Sequence, residues 1–170
     1  MTIGFRPLEP ADLPLVLEWF GREHVRRWWD GGRDEDAVAA EYLEAIEGRD
    51  PTDLYLIVLD EQPVGMIETY IVADHPEWQA LVRVGPGVAG VDLFIGEEEL
   101  TGRGFGVEIL CAFTRDVVFA RAPVRAVVAG IDVENTRSLR AFAKAGFEPV
   151  LDFIEDGRQH RLLRLERPPG

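Results

Sequence analysis

Lysine is almost missing from this chain. Lys144 is the only one among 18 lysine and arginine residues, and 31 acids outweigh them, for a net charge of −13 over 170 residues. Such acidity argues against nucleic acid as a partner, because a polyphosphate backbone demands a basic footprint. It suits a small cationic partner drawn in by the protein's field, and equally a surface adapted to solubility or salt. Cysteine is as scarce. Cys111 alone excludes an internal disulfide, and its place in an apolar helical run predicts a small buried residue. The three histidines, His24, His75 and His160, are too scattered for ligand spacing, so no metal is expected. No apolar run approaches the roughly 20 residues of a membrane span, and no basic region followed by an apolar one opens the chain. The expectation is a cytoplasmic protein without a membrane partner, monomeric or weakly dimeric.

With 46% hydrophobic residues, residues 1–170 read as one globular domain. At this length folding buries roughly 70% of the unfolded surface. Ile3–Arg6 reads as a strand, Pro10–Phe20 and a piece ending near Trp29 as two helices, Asp30-Gly-Gly32 as a break, and Asp34–Ile46 as a helix. Leu54–Leu59 is a buried strand, Asp60–Pro63 its hairpin turn and Val64–Val72 the returning strand; Asp74–Pro86 reads as a loop. A strand near Gly87–Ile95, a glycine loop, a helix over Val107–Phe119 and a strand over Val124–Ile131 follow. A short helix over Thr136–Ala145 and strands over Pro149–Ile154 and His160–Leu165 complete an α+β pattern with a mixed sheet.

The segment Thr101-Gly-Arg-Gly-Phe-Gly106 stands between a strand and a helix. Glycines there permit a sharp turn and bring bare backbone to a ligand, while the helix start offers unpaired N–H groups and a positive dipole end. That combination suits a phosphate or diphosphate. A P-loop is excluded because Val107 and Glu108, not Lys and Ser/Thr, follow the last glycine. A dinucleotide fingerprint is excluded because the glycines alternate and lie in mid-chain.

Downstream, the strand ends at Asp132-Val-Glu-Asn135 and the short helix carries Arg137, Arg140 and Lys144 before Ala145-Gly-Phe147. With the glycine loop, this arrangement resembles the GNAT superfamily of acyl-CoA-dependent N-acyltransferases, through most of the chain. Glu18-Trp-Phe, His24–Trp29, Glu41-Tyr-Leu43, Pro63-Val-Gly65 and Pro86–Asp92 are similar to the aminoglycoside 6′-N-acetyltransferases within it. The resemblance implies a GNAT fold whose two central parallel strands splay to admit acetyl-CoA as co-substrate. It implies that Phe94 and Ile95 offer backbone groups to pantetheine, and that Gly102, Arg103, Gly104, Phe105 and Gly106 cradle the diphosphate. Asn135 would meet pantetheine, with Arg137, Arg140 and Lys144 as candidates for the outer phosphates. Two positions depart from the family pattern. Thr101 stands where Arg or Gln is usual, and Phe142 where a tyrosine commonly protonates the departing thiolate. The triplet Glu97-Glu-Glu99 must point away from any anion bound nearby.

An amine attacks a thioester only when neutral, so a base is needed. Asp92 interrupts an apolar strand, where an acid without a purpose is expensive. The resemblance makes it the general base; an acid that only hydrogen-bonds substrate or a loop is the alternative. A polycationic sugar also needs acids and flat faces. The candidates are Glu68, Glu77, Asp92, Asp132 and Asp156, with Trp28, Trp29, Tyr42, Tyr70 and Trp78 for stacking or cation contacts. Trp29 also suits a core anchor. Three functions remain open: 6′-acetylation of an aminoglycoside; acylation of a siderophore hydroxylamine, polyamine or protein N-terminus; or non-catalytic binding of acyl-CoA or drug.

Overall fold

The computed structural model describes residues 1–29 and 34–170; the predicted break at Asp30-Gly-Gly32 lies outside them. Seven strands form one sheet in the order β1-β2-β3-β4-β5-β7-β6. These are β1 Ile3–Pro7, β2 Thr52–Leu59, β3 Gln62–Ile71, β4 Val88–Ile95, β5 Ala126–Asp132, β6 Glu148–Glu155 and β7 Arg158–Glu166. The α-helices among the described residues are α1 Leu13–Phe20, α2 Glu23–Trp29, α3 Glu35–Ile46, α4 Pro76–Val82, α5 Phe105–Phe113 and α6 Thr136–Lys144. Strands β4 and β5 pair in parallel through Val88–Ala126, Ala89–Val127 and Gly90–Val128. The architecture is the mixed α/β one predicted from sequence.

Two compact units divide the chain: Met1–Thr69 with Asp92–Thr101, and Tyr70–Val91 with Gly102–Gly170. In the first, β1 runs antiparallel to β2, with Ile3 opposite Leu59 and Pro7 opposite Tyr55. The apolar spacing of α1 buries Val16, Trp19 and Phe20 on one stripe, and α3 buries Val38 and Tyr42 one turn apart. These side chains pack with Leu54, Leu56, Met66 and Phe94 into a single core. The β2–β3 turn is tighter than the four residues expected. Asp60 and Glu61 both adopt left-handed backbone, at φ 46° and 70°, as a two-residue hairpin requires. Asp60 also accepts a hydrogen bond from the Thr2 amide at 2.8 Å, which fastens the turn to the chain start.

The second unit builds its core from Val72, Val82, Val84, Val88, Ala126, Val128, Phe153 and Leu162. Strand β7 pairs antiparallel with both β5 and β6, and the Asp156-Gly157 turn between β6 and β7 has φ of 50° and 76°. Three expectations need correction here. The segment read as a loop contains helix α4, opened by Pro76 at its first turn and stopped by Arg83 in left-handed conformation. The expected Val107–Phe119 helix is α-helical only to Phe113 and continues as a π-helical turn over Thr114–Val118. There the Thr114 hydroxyl donates back to the carbonyl of Leu110 at 2.8 Å, in competition with the regular ladder. Finally, Cys111 is exposed rather than buried. Helix α5 buries Phe105, Ile109, Leu110 and Phe113, and at about 100° per residue position 111 falls opposite that stripe.

Candidate active site

In the first unit, β3 and β4 are neighbours in the sheet and are joined by a bond from the Gly96 amide to the Val64 carbonyl, at 2.7 Å. Counting inward from that bond on antiparallel strands sets Met66 opposite Phe94 and Glu68 opposite Asp92. Met66 and Phe94 share the same core, as that register requires. Side chains alternate along a strand, so Glu68 and Asp92 stand on this same face, one step beyond the apolar pair. Both are half-buried. Burial pushes the Glu68 carboxyl well above the usual carboxylate range, and the charges of Asp92, then Glu41 and Asp50, push it further. Glu41 belongs to α3, and Asp50 follows that helix with a buried Oδ1 that meets no hydrogen-bond partner. Four acids thus converge on one region. Glu41 and Asp50 escaped the sequence reading because nothing local marks them; the tertiary placement of α3 brings them in.

The C-terminal end of β4 is held from α1 and α2. The Nε2–H of His24 donates to the Ile95 carbonyl at 2.9 Å and Arg22 donates to the Gly96 carbonyl at 2.8 Å. Glu97 accepts from the indole of Trp19 at 3.0 Å and from Arg22 at 2.9 Å, and those bonds lower its pKa in that order. Its charge is therefore engaged within the first unit, while Glu98 and Glu99 are exposed. Phe94 is buried with its ring against Phe20 and Trp29. Trp29 packs on this core and donates to the Tyr42 hydroxyl at 3.0 Å; Tyr42 is buried. Both fill the role of core anchors. Trp28 is half-buried, with the Arg27 guanidinium 4.8 Å above its ring.

The glycine loop belongs to the second unit from Gly102 onward. Gly102 and Gly104 hold φ of 72° and 87°, a region costly to any residue with a Cβ. Gly104 is the N-cap of α5 and no side chain caps that helix start, so its backbone N–H groups are the donors on offer. Arg103 is exposed, its guanidinium 5.5 Å from the Phe105 ring. Arg137 of α6 comes within 4.0 Å of where a Gly102 side chain would begin, which adds a cation beside the turn. Helix α6 fits closely here: a Cβ on Gly106 would lie 3.7 Å from Ala141. Bare amides, left-handed glycines and flanking guanidinium groups suit a diphosphate. The Thr101 hydroxyl, by contrast, donates to its own loop at the Glu98 carbonyl, 2.7 Å away.

The remaining candidates are dispersed over the second unit. Asn135 caps α6, its Oδ1 accepting from the Ser138 amide at 3.3 Å; Arg140 and Lys144 lie exposed on that helix. Phe142 is buried edge-on against Phe147, with ring centres 4.9 Å apart. Tyr70 lies across Gly90, where a Cβ would overlap its ring, and stacks edge-on with His75. Trp78 packs on Phe153 and over Gly130, and its indole nitrogen is buried without a partner. Desolvation acts to raise Asp132, but a 2.5 Å bond from Arg158, the Glu134 amide and charge attraction leave its pKa lowered. Glu77 and Asp156 are exposed. Among the described residues, no group of three or more His, Cys, Asp or Glu is placed to hold a metal ion.

Comparison with known proteins narrows the meaning of this arrangement. Residues 9–153 match the profile of the acetyltransferase (GNAT) domain. Aminoglycoside N(6′)-acetyltransferase type 1 of Klebsiella pneumoniae is 25% identical over 150 residues, 86% of this chain and 74% of that protein. The structure of AAC(6′)-Ib with acetyl-CoA superposes at a TM-score of 0.89 and 24% identity, covering 98% of this chain and 94% of that one. A second AAC(6′)-Ib structure, with coenzyme A and kanamycin, gives 0.87 at 23% identity over 98% and 95%. A chimeric Vibrio cholerae spermidine N-acetyltransferase also shares the fold, with a TM-score of 0.75 at 16% identity over 98% and 96%. The mixed sheet and its flanking helices thus agree with the domain match. The chain belongs to the GNAT family of acyl-CoA-dependent N-acyltransferases.

Proposed function

We propose that this protein transfers acetyl from acetyl-CoA directly to a primary amine of a cationic small molecule, the 6′-amine of an aminoglycoside. The observation that carries the reading is the convergence of Asp92, Glu41 and Asp50 about Glu68 in the first unit, in a chain similar to aminoglycoside acetyltransferases. Several carboxyl groups in one region suit a substrate with several ammonium groups. Acetyl-CoA, when bound, supplies an activated thioester. The amides from Arg103 to Gly106, with Arg137 beside them, hold its diphosphate. The backbone at Phe94 and Ile95 aligns pantetheine, and the strand amide near Phe94 polarises the thioester carbonyl.

Asp92 acts as the base. An ammonium is no nucleophile, and a carboxylate within reach can orient it and then remove one proton. Phe142 carries no hydroxyl, so water or another group protonates the departing sulfur. A polyamine acyltransferase is the second reading, favoured by the spermidine N-acetyltransferase likeness in fold. Acetyl transfer measured side by side on kanamycin, spermidine and a simple hydroxylamine separates the readings. Kanamycin should dominate by about tenfold or more in kcat/KM, since a site with several acids penalises a substrate with fewer cations. Preference for spermidine or the hydroxylamine would contradict the aminoglycoside assignment.

A further inference from the structure

The base reading gives Glu68 no part in the proton transfer, although the strand register sets it directly across from Asp92. The register is fixed on both sides of this pair. Gly96 bonds to Val64 at one end, Met66 and Phe94 belong to the same core, and further along the same strands Tyr70 lies across Gly90. Directly opposite side chains have Cβ atoms about 5 Å apart, and like charges at such positions oppose one another. The groups acting on Glu68 from the surrounding elements are Asp92 on β4, Glu41 on α3 and Asp50 after α3, and all are acidic. Core residues Met66 and Phe94 close the side nearest the fold interior. A negative charge on Glu68 would therefore meet three acids beside an apolar wall.

The geometry points to Glu68 as a positioning residue for Asp92: the opposed carboxyl groups hold one proton between them, Glu68 keeping it and Asp92 carrying the charge. This rests on Asp92 being the base. A neutral Glu68 places a hydrogen-bond donor within reach of the Asp92 carboxylate and fixes the oxygen that faces the amine. It also keeps the pair at a single negative charge, so the ammonium is not bound by two carboxylates that would resist its deprotonation. The step balances. Asp92 takes one proton from the ammonium, the amine nitrogen bonds to the acetyl carbon, and the carbon–sulfur bond breaks with the electron pair leaving on sulfur; the second proton of that nitrogen passes through water to the sulfur, and Asp92 then releases its own proton to solvent. Glu68 keeps its proton throughout. The burial that raises the Glu68 pKa is consistent with this.

Isotope-edited infrared spectroscopy of the whole protein at neutral pH tests the proton directly. The wild type should show a protonated carboxyl band that disappears in Glu68→Gln. Glu68→Ala should lower kcat/KM for kanamycin about tenfold or more, and Glu68→Gln, which preserves a neutral donor, should rescue most of that loss. Thermal unfolding adds a readout independent of activity. Folding raises the Glu68 pKa, so between the ordinary glutamate value of about 4.3 and the folded value the native state keeps a proton that the unfolded chain releases. The Glu68 contribution to stability therefore falls across that window as pH rises, and the Tm of Glu68→Gln relative to wild type should increase upward from about pH 4. Absence of the band, or a tenfold rise in KM with Glu68→Gln, would overturn the proposal, since a charged substrate ligand would then be lost. A wild-type rate in Asp92→Asn with the band intact would refute the base reading and the positioning role together, leaving only the shared proton.

Discussion

Replacing Asp92 by asparagine should lower kcat/KM about 100-fold or more, equivalent to roughly 2.7 kcal/mol of lost transition-state stabilisation. Asparagine matches aspartate in size and still accepts a hydrogen bond, so the strand should persist. What it loses is the capacity to accept a proton. Asp92 is half-buried at the end of an apolar run, opposite Glu68 and one alternate position from the buried Phe94. An acid so placed either serves chemistry or only binds. The kinetic partition distinguishes these roles: loss of a base reduces kcat, whereas loss of a mere substrate contact raises KM and leaves kcat unchanged. Steady-state kinetics with kanamycin, with melting curves to verify folding, measures both. A variant with unchanged kcat contradicts the base assignment.

The second large effect concerns Gly65. A Cβ added there would overlap the carbonyl oxygen of Phe94 and lie 3.1 Å from the Ile95 Cα. The obstacle is main chain, which cannot swing aside as a side-chain tip can. Gly65→Ala must therefore push β4 away from β3 beside the proposed catalytic strand. Overpacking of this kind costs about 2–3 kcal/mol. In a chain of this size each kcal/mol shifts Tm by roughly 2–4 °C, so a fall of about 5–10 °C is expected. Because the displaced segment carries Phe94, turnover at a temperature where the variant is folded should also drop about tenfold, as sub-ångström misplacement of reacting groups does. Gly4→Ala supplies the control. Its Cβ meets nothing within 4 Å, and the change should stay within about 0.5 kcal/mol. Equal melting temperatures for the two variants would contradict close strand approach at Gly65.

What the sequence made legible was whatever has a local physical cause. Gly102 and Gly104 advertised left-handed backbone, and both have it. The apolar runs Leu54–Leu59 and Val64–Val72 about a short polar turn marked a hairpin, and β2 and β3 occupy those runs. Helix α4 is a contrasting case. Its start signal, Pro76, was present, but two turns with a single buried residue, Val82, make too weak a stripe to stand out beside a neighbouring loop. Cys111 was misplaced because an apolar run was read without its angular position, and the helix buries the other side. The turn at Thr114 depends on a hydroxyl finding a carbonyl one turn back, which composition does not dictate. At the candidate site, Asp92 could be found as an acid interrupting an apolar strand. The acids around Glu68 could not, since Glu41, Asp50, Glu68 and Asp92 come from three separate stretches that only the tertiary fold assembles.

The central claim is acetyl transfer to a specific amine, and the position of the product tests it most directly. Purified protein, kanamycin and acetyl-CoA bearing a heavy-isotope acetyl group should yield one added acetyl per drug molecule, located on the 6′-nitrogen by NMR, with a matching release of free thiol. Kanamycin recovered unmodified, thiol released without drug product, or acetyl found on another nitrogen would contradict it.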